Sequence, residues 1–429
     1  MAKPALLFIL LSIQVTFQAC TQIPLDEMTQ EDWQDDLDYL DKKIQKEFQS
    51  FNPKLKPAFS DEMATLKSKL NDLENYEIAC EIMRLLATLQ DGHTELNIGQ
   101  ERTGFHRVPL SLYFFQNELY VIAAHEEFRN LVGGKVIGIG DYSMNEAFSK
   151  LKKTMSRDND MEYLHAGPGY LILTELLKCL SISENENEVS FEIELKSGEV
   201  WRQSLEGMDV NTYSQGPWIT LREVNDVDQP LYLSNQGSRY WHQYLFETKT
   251  MYFNFTRVNN QKGQPSIKKY IKILFEEIDE EKPEKLIIDF RLNNGGNYNL
   301  SRPLIEAIKS RPWLNQEGKI WVITGRRTFS AASVASIFLK TETEAILIGE
   351  PGRTHPNLAD NNEYMNLPKS GFLIEYTTKV KEHWPEKPGL DRIPVDISVI
   401  PQYESYSKGE DSVLLYILRA DVSSERNMK

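Results

Sequence analysis

The chain has 429 residues, 41% hydrophobic and 26% charged, with 23 glycines and 19 prolines; this composition supports a sizeable core in two or three domains and excludes collagen-like, low-complexity and disordered chains. Lys and Arg number 48 against 63 Asp and Glu, a formal charge of −15, which repels phosphate backbones and argues against nucleic acid as a partner. With three cysteines, Cys20, Cys80 and Cys179, a disulfide-scaffolded fold and a four-cysteine zinc module are excluded.

Residues 1–19 stand apart. Lys3 is their only charged side chain, and Ala5 to Phe17 is a mostly apolar run of 13 residues. That run is short for a membrane span and suits the core of a signal peptide. Gln18-Ala19-Cys20-Thr21 resembles the lipobox of bacterial lipoproteins. The resemblance implies cleavage before Cys20, a lipid on that cysteine and a soluble body held at the cell envelope. A plain secretory signal cut nearby is the alternative. No later stretch reaches about 18 apolar residues, so no transmembrane helix is expected.

Residues 24–100 read as a helical N-terminal region. Thr29 precedes Trp33, Leu37, Leu40, Ile44 and Phe48 at helical spacing, with Asp32 placed for a capping box. A second helix opens at Ser60 and carries Met63, Leu66, Leu70 and Leu73. A third opens near Asn75, carries Ile78, Ile82, Leu85 and Leu89, and stops at Asp91-Gly92. Residues 105–205 change to strands at Leu119–Ala123, Lys135–Ile139 and Val189–Leu195, interrupted by a helix over Tyr170–Cys179. The run Gly133 to Asp141 followed by Ser143 to Leu151 resembles the strand, turn and helix of a PDZ domain, which implies a small PDZ-like β-rich module there. Cys80 and Cys179 each sit in an apolar helical pattern and are expected as buried free thiols. Residues 206–245 are loop-rich and aromatic, and the pair Tyr240-Trp241 reads as core or as the wall of a peptide groove.

Over residues 248–420 strands and helices alternate. Met251–Phe255, Leu286–Phe290, Ile320–Thr324, Ala345–Ile348 and Phe372–Thr378 read as strands. Ser266 caps a helix with Ile267, Ile271, Leu274 and Ile278 on one face, and Leu300–Ile308 and Ala331–Leu339 are helical. Apolar strands joined by helices predict an α/β domain: a mixed sheet with parallel pairs, covered on both faces. Sites in such sheets lie beyond the carboxyl ends of the strands.

Three segments carry chemistry. Ser330 lies where strand turns into helix, either as a helix cap or as a nucleophile at the positive end of the helix dipole. Asp289-Phe290-Arg291-Leu292-Asn293-Asn294-Gly295-Gly296-Asn297 follows a strand, and its diglycine is either a structural turn or a backbone nest for an anion. His93, in Leu89-Gln90-Asp91-Gly92-His93-Thr94, is a surface histidine or a base titrating near neutrality. Asp289 and Arg291 read as a structural ion pair. The remaining histidines lack ligand-like spacing, so neither a metal nor any other cofactor is implied.

Taken in order, Leu-x-Asp-Gly-His-Thr, Ile-Ile-Asp-x-Arg-x-Asn-x-Gly-Gly-Asn, Thr-Phe-Ser-Ala-Ala and Ile-Gly-Glu-Pro-x-x-x-x-Pro-Asn (Ile348 to Asn357) resemble the tail-specific, or C-terminal-processing, serine peptidase family. The resemblance implies a catalytic domain of crotonase-like βαβ units over 248–420 and a polypeptide substrate. It assigns Ser330 as nucleophile and the N–H groups of Ala331 and of Gly295 or Gly296 as oxyanion hole. One branch of the family takes a lysine as base in Gly-Glu-x-x-x-x-Lys. Here that position holds His355, so the tricorn-like branch, with His93 as base, fits better and His355 is the alternative. The orienting carboxylate is expected late in the chain, at Glu375, Glu386 or Asp391. The implied function is a serine endopeptidase of the cell envelope; the alternative is an inactive relative that binds peptide or an apolar ligand.

Overall fold

A computed structural model describes residues 22–48, 55–99, 101–357 and 359–420. The expected signal peptide, with Cys20, and the polar tail from Ser423 lie outside the described residues.

Three N-terminal helices run over Gln30–Glu47, Lys56–Lys69 and Asn75–Ala87. Thr29 and Asp32 form the expected capping box, at 3.0 and 3.2 Å. The second helix opens four residues before Ser60, with Pro57 in its first turn, where a missing N–H costs nothing. Trp33, Leu37, Leu40, Phe59, Met63, Ile82 and Leu85 are buried in one core with Val121, Val136, Phe191 and Ile193 of the β-rich segment. That segment forms a seven-stranded antiparallel sheet whose main path runs Leu110–Phe115, Glu118–His125, Lys135–Ile139, Glu188–Glu194, Val200–Glu206.

Tyr170–Cys179 is not one helix. It divides into the end of Met161–Tyr170 and a separate Thr174–Cys179. Between them the Ile172 carbonyl accepts the Val108 N–H at 2.9 Å, and Leu171 and Leu173 are fully buried. Pairing across the chain replaces a helical turn.

Cys80 and Cys179 are joined in a disulfide, so the expectation of free thiols is corrected. Each cysteine does lie on an apolar helix. Those two helices pack against each other with the cysteine Cα atoms 6.6 Å apart, within bridging range. Helical periodicity shows which face is buried but not what lies opposite it.

The sheet of the later chain has six strands in the order Ile397–Ser398, Ile346–Gly349, Ile320–Thr324, Lys285–Asp289, Thr250–Phe255, Tyr240–Leu245. All neighbours are parallel except the last pair. Alternate residues serve two cores: Met251, Phe253, Leu286, Ile288 and Val322 face the helices Ile267–Glu281, Arg302–Lys309 and Ala331–Glu342. Tyr252, Ile287, Trp321 and Ile323 face the helix Ser412–Arg419. Tyr240 and Trp241 are both buried, as core. A third, small sheet pairs Glu95–Leu96 with Leu373–Val380, which ties the loop carrying His93 to the late chain.

Candidate active site

The loop from Gly325 to Ser330 is built by its own hydrogen bonds. Thr328 Oγ1 accepts the Gly325 N–H at 3.0 Å and donates to the Phe290 carbonyl at 2.9 Å, and the Phe329 N–H reaches the Asn293 carbonyl at 3.0 Å. The chain then enters the helix Ala331–Glu342 through Ser330, whose φ of 51° and ψ of −122° are strained for any residue with a side chain. Its N–H is held by Thr354 Oγ1 at 2.6 Å. Its side chain makes no capping hydrogen bond. The helix-cap reading of Ser330 is therefore set aside, and Ser330 lines a cavity of about 330 Å³ shared with Gly296, Ala331, Thr354, His355 and His383.

The diglycine bend presses on that serine. A Cβ on Gly295 would lie 2.8 Å from Ser330 Cβ and 3.1 Å from the Ala331 nitrogen, at a φ of +98°. The buried Asn293 shapes the bend, accepting the Gly295 N–H at 2.8 Å while donating to the Phe255 carbonyl at 2.7 Å. The Gly295 N–H is thus already engaged. Ala331 opens its helix, so its N–H has no partner within the helix.

His93 is buried, 2% exposed, in the loop that leaves the helix Asn75–Ala87. Asp91 organises that loop, accepting the His93 N–H at 3.1 Å and the Thr94 hydroxyl. The ring stacks on Phe329 with centroids 4.1 Å apart, and the Arg353 guanidinium lies 3.7 Å from the Phe329 ring centre. Burial, helped by the Arg353 charge, pushes the imidazole down to about 3. His93 Nδ1 is buried without a hydrogen-bond partner, and Asp91 Oδ1 lies 3.8 Å from it. No hydrogen bond joins the Ser330 hydroxyl to either His93 or His355 among the described residues. Both imidazoles border its neighbourhood, His93 through Phe329 and His355 through the cavity.

The three late carboxylates take other partners. Glu375 stands opposite Glu95 in the small sheet and accepts from Asn362. Glu386 is exposed. Asp391 pairs with Arg392 at 2.6 Å, although its charge does act on His355. Asp91 lies beside His93, with Oδ1 3.8 Å from Nδ1, and a second carboxylate, Asp158, joins them from a distant loop. Asp158 accepts the Gly92 N–H at 2.7 Å and the His355 N–H at 3.0 Å, so it links both histidine loops. Burial, reinforced by Asp91, raises it to about 7. Asp91 stands two residues before His93 and was legible as a neighbour; nothing in the sequence singles out Asp158. Asp289 and Arg291 form the expected ion pair at 2.8 Å, with Asp411 as a third member.

No family model and no curated protein matches the chain. Among solved structures, mature CPAF is 12% identical over 90% of this chain and 96% of its own, with a TM-score of 0.59. A serine-to-alanine mutant of CPAF is 12% identical over 91% and 98%, with a TM-score of 0.60. The photosystem II D1 C-terminal processing protease is 13% identical over 92% and 97%, with a TM-score of 0.41. In fold this chain is similar to CPAF along nearly the whole of both chains.

Proposed function

We propose that the chain is a serine peptidase of the tail-specific group, hydrolysing peptide bonds through an acyl-enzyme on Ser330 with His93 as base. The observation that carries the reading is the strained Ser330, held at a helix mouth with its hydroxyl free of any capping role. Residues keep such backbone strain where the surrounding structure enforces it, commonly at active sites.

In this mechanism Ser330 Oγ attacks the substrate carbonyl carbon and passes its proton to His93 Nε2. The carbonyl oxygen becomes an oxyanion and is met by the N–H groups of Ala331 and Gly296, Gly295 being engaged with Asn293. Each such donor lowers the barrier by about 3–4 kcal/mol. Collapse breaks the C–N bond and the amine leaves with the proton from His93. Water then repeats the sequence on the acyl-enzyme. Asp91 positions the ring by accepting from Nδ1 after a small approach. The contact between Ser330 and His93 tightens with substrate in place, as catalytic hydrogen bonds commonly do. His355 is the alternative base, since it borders the same cavity.

The reading also keeps an exported protein anchored by lipid on Cys20, acting on polypeptides at the cell envelope, with the segment 105–205 as a PDZ-like module that selects a chain end. The disulfide supports export, because such bonds persist in oxidising compartments. No described helix is long and apolar enough to cross a membrane.

A second reading, an inactive relative that binds peptide or an apolar ligand, draws on a separate cavity of about 320 Å³ lined by Tyr113, Tyr232 and Tyr406 together with Arg291, Arg326 and Glu350. An active-site serine probe decides between them. A fluorophosphonate should label the wild type and not Ser330→Ala; a wild type that never labels leaves only the binding reading.

A further inference from the structure

The carboxylates around His93 have a use beyond orienting it. Asp91, His93 and Asp158 each offer one ligand atom, and these atoms lie within 4.8 Å of one another. Asp91 is fully buried. The hydrogen bonds that the two carboxylates accept come from backbone N–H groups and a threonine, with no lysine or arginine among the donors. Two close carboxylates in a poorly solvated pocket favour a cation between them. The independent observation is His93 Nδ1, a buried nitrogen with no hydrogen-bond partner, beside Asp91 Oδ1.

We propose that Asp91, His93 and Asp158 form a binding site for a zinc-class divalent ion, and that the ion reversibly inhibits the serine chemistry. One imidazole nitrogen and two carboxylate oxygens are a donor set that zinc accepts, with water in the fourth position. Tetrahedral bonds of about 2.1 Å set ligand atoms about 3.4 Å apart, so the pocket closes by no more than about 1.4 Å. The backbone bonds to Asp158 remain in place during this contraction, because a carboxylate oxygen has a lone pair for the metal as well as one for the N–H.

The inhibition follows from proton placement and rests on the reading of His93 as base. A neutral imidazole carries one proton on one of its two nitrogens. Coordination takes the Nδ1 lone pair, so the proton sits on Nε2, and Nε2 has no lone pair left to accept a proton from Ser330. When the ion leaves, Nδ1 recovers the proton and turns it toward Asp91. One nitrogen thus decides between a working base and a metal ligand. The ion would also bind together the loops carrying His93, Asp158 and, through the backbone bond to Asp158, His355.

The test uses the full mature chain with its disulfide intact, stripped by chelator and then titrated with zinc by calorimetry. The expected result is one site of micromolar affinity or better, weakened at least tenfold in Asp91→Asn and in Asp158→Asn and retained in His355→Ala and His383→Ala. Binding that is absent, indifferent to both asparagine variants, or lost with the cavity histidines overturns the proposal. X-ray absorption at the zinc edge of the wild type needs no variant: one imidazole with oxygen neighbours is expected, and several imidazoles or sulfur would overturn the site. Zinc should slow fluorophosphonate labelling at least tenfold, and chelator should restore it; labelling that proceeds unchanged with the site filled overturns the inhibitory role. A chain that binds zinc as described but never labels, with or without metal, defeats the peptidase reading and leaves the metal site standing.

Discussion

Gly295 and Ser330 touch so closely that a single methyl group separates a working bend from a clash: a Cβ on the glycine would lie 2.8 Å from the serine Cβ. The glycine also adopts a φ of +98°, a region open to glycine at little cost. Gly295→Ala should therefore lower stability by about 1–3 kcal/mol. It should also displace the Ser330 turn, so that the rate of fluorophosphonate labelling falls at least a hundredfold while circular dichroism at low temperature stays native.

Ser330 itself occupies a backbone conformation that suits glycine. Ser330→Gly should be more stable than Ser330→Ala by about 1–2 kcal/mol, because glycine releases the strain that alanine retains. Both variants lose labelling. Urea unfolding midpoints of the pair provide the measurement, and equal midpoints would show the conformation to be unstrained.

The buried His93 links stability to pH. Its unfolded imidazole titrates near 6.5 and the folded one near 3, so between those values only the unfolded chain takes up the proton. The contribution of this group is complete above about pH 6.5 and declines as pH falls toward 3, by roughly 1.4 kcal/mol per unit. In chelator-containing buffer, the wild type should lose about 2 kcal/mol more than His93→Gln between pH 6.5 and 5. Parallel denaturation curves at several pH values check this, and identical slopes would exclude a buried neutral imidazole.

The bridge between Cys80 and Cys179 closes a loop across 99 residues of sequence. Alkylation of the unreduced protein should leave both cysteines unmodified by mass spectrometry. Reduction, or the double substitution to serine, should cost about 2–5 kcal/mol in unfolding free energy, chiefly by freeing the unfolded chain. Full alkylation without reductant would rule the bridge out.

Much of this architecture was legible from neighbouring residues. The strand Ile320–Thr324 has the bounds its apolar run predicts, and the Thr29 capping box forms as Asp32 requires. The helix Ala331–Glu342 begins at the residue after Ser330, where the motif placed it. These features depend on contacts a few positions apart, and periodicity along the chain records such contacts directly.

The sequence by itself therefore determined the alternation of strands and helices, the buried faces, and the loops that carry Ser330, His93 and the diglycine. Only the tertiary structure decided that Cys80 meets Cys179, that Asn293 engages the Gly295 N–H, and that Asp158 joins Asp91 and His93 from a distant loop. The physical reason is that a residue's type and spacing specify its local conformation and which side it buries. Its partner across the core is chosen by how whole helices and sheets pack, and that choice leaves no periodic trace in either segment alone.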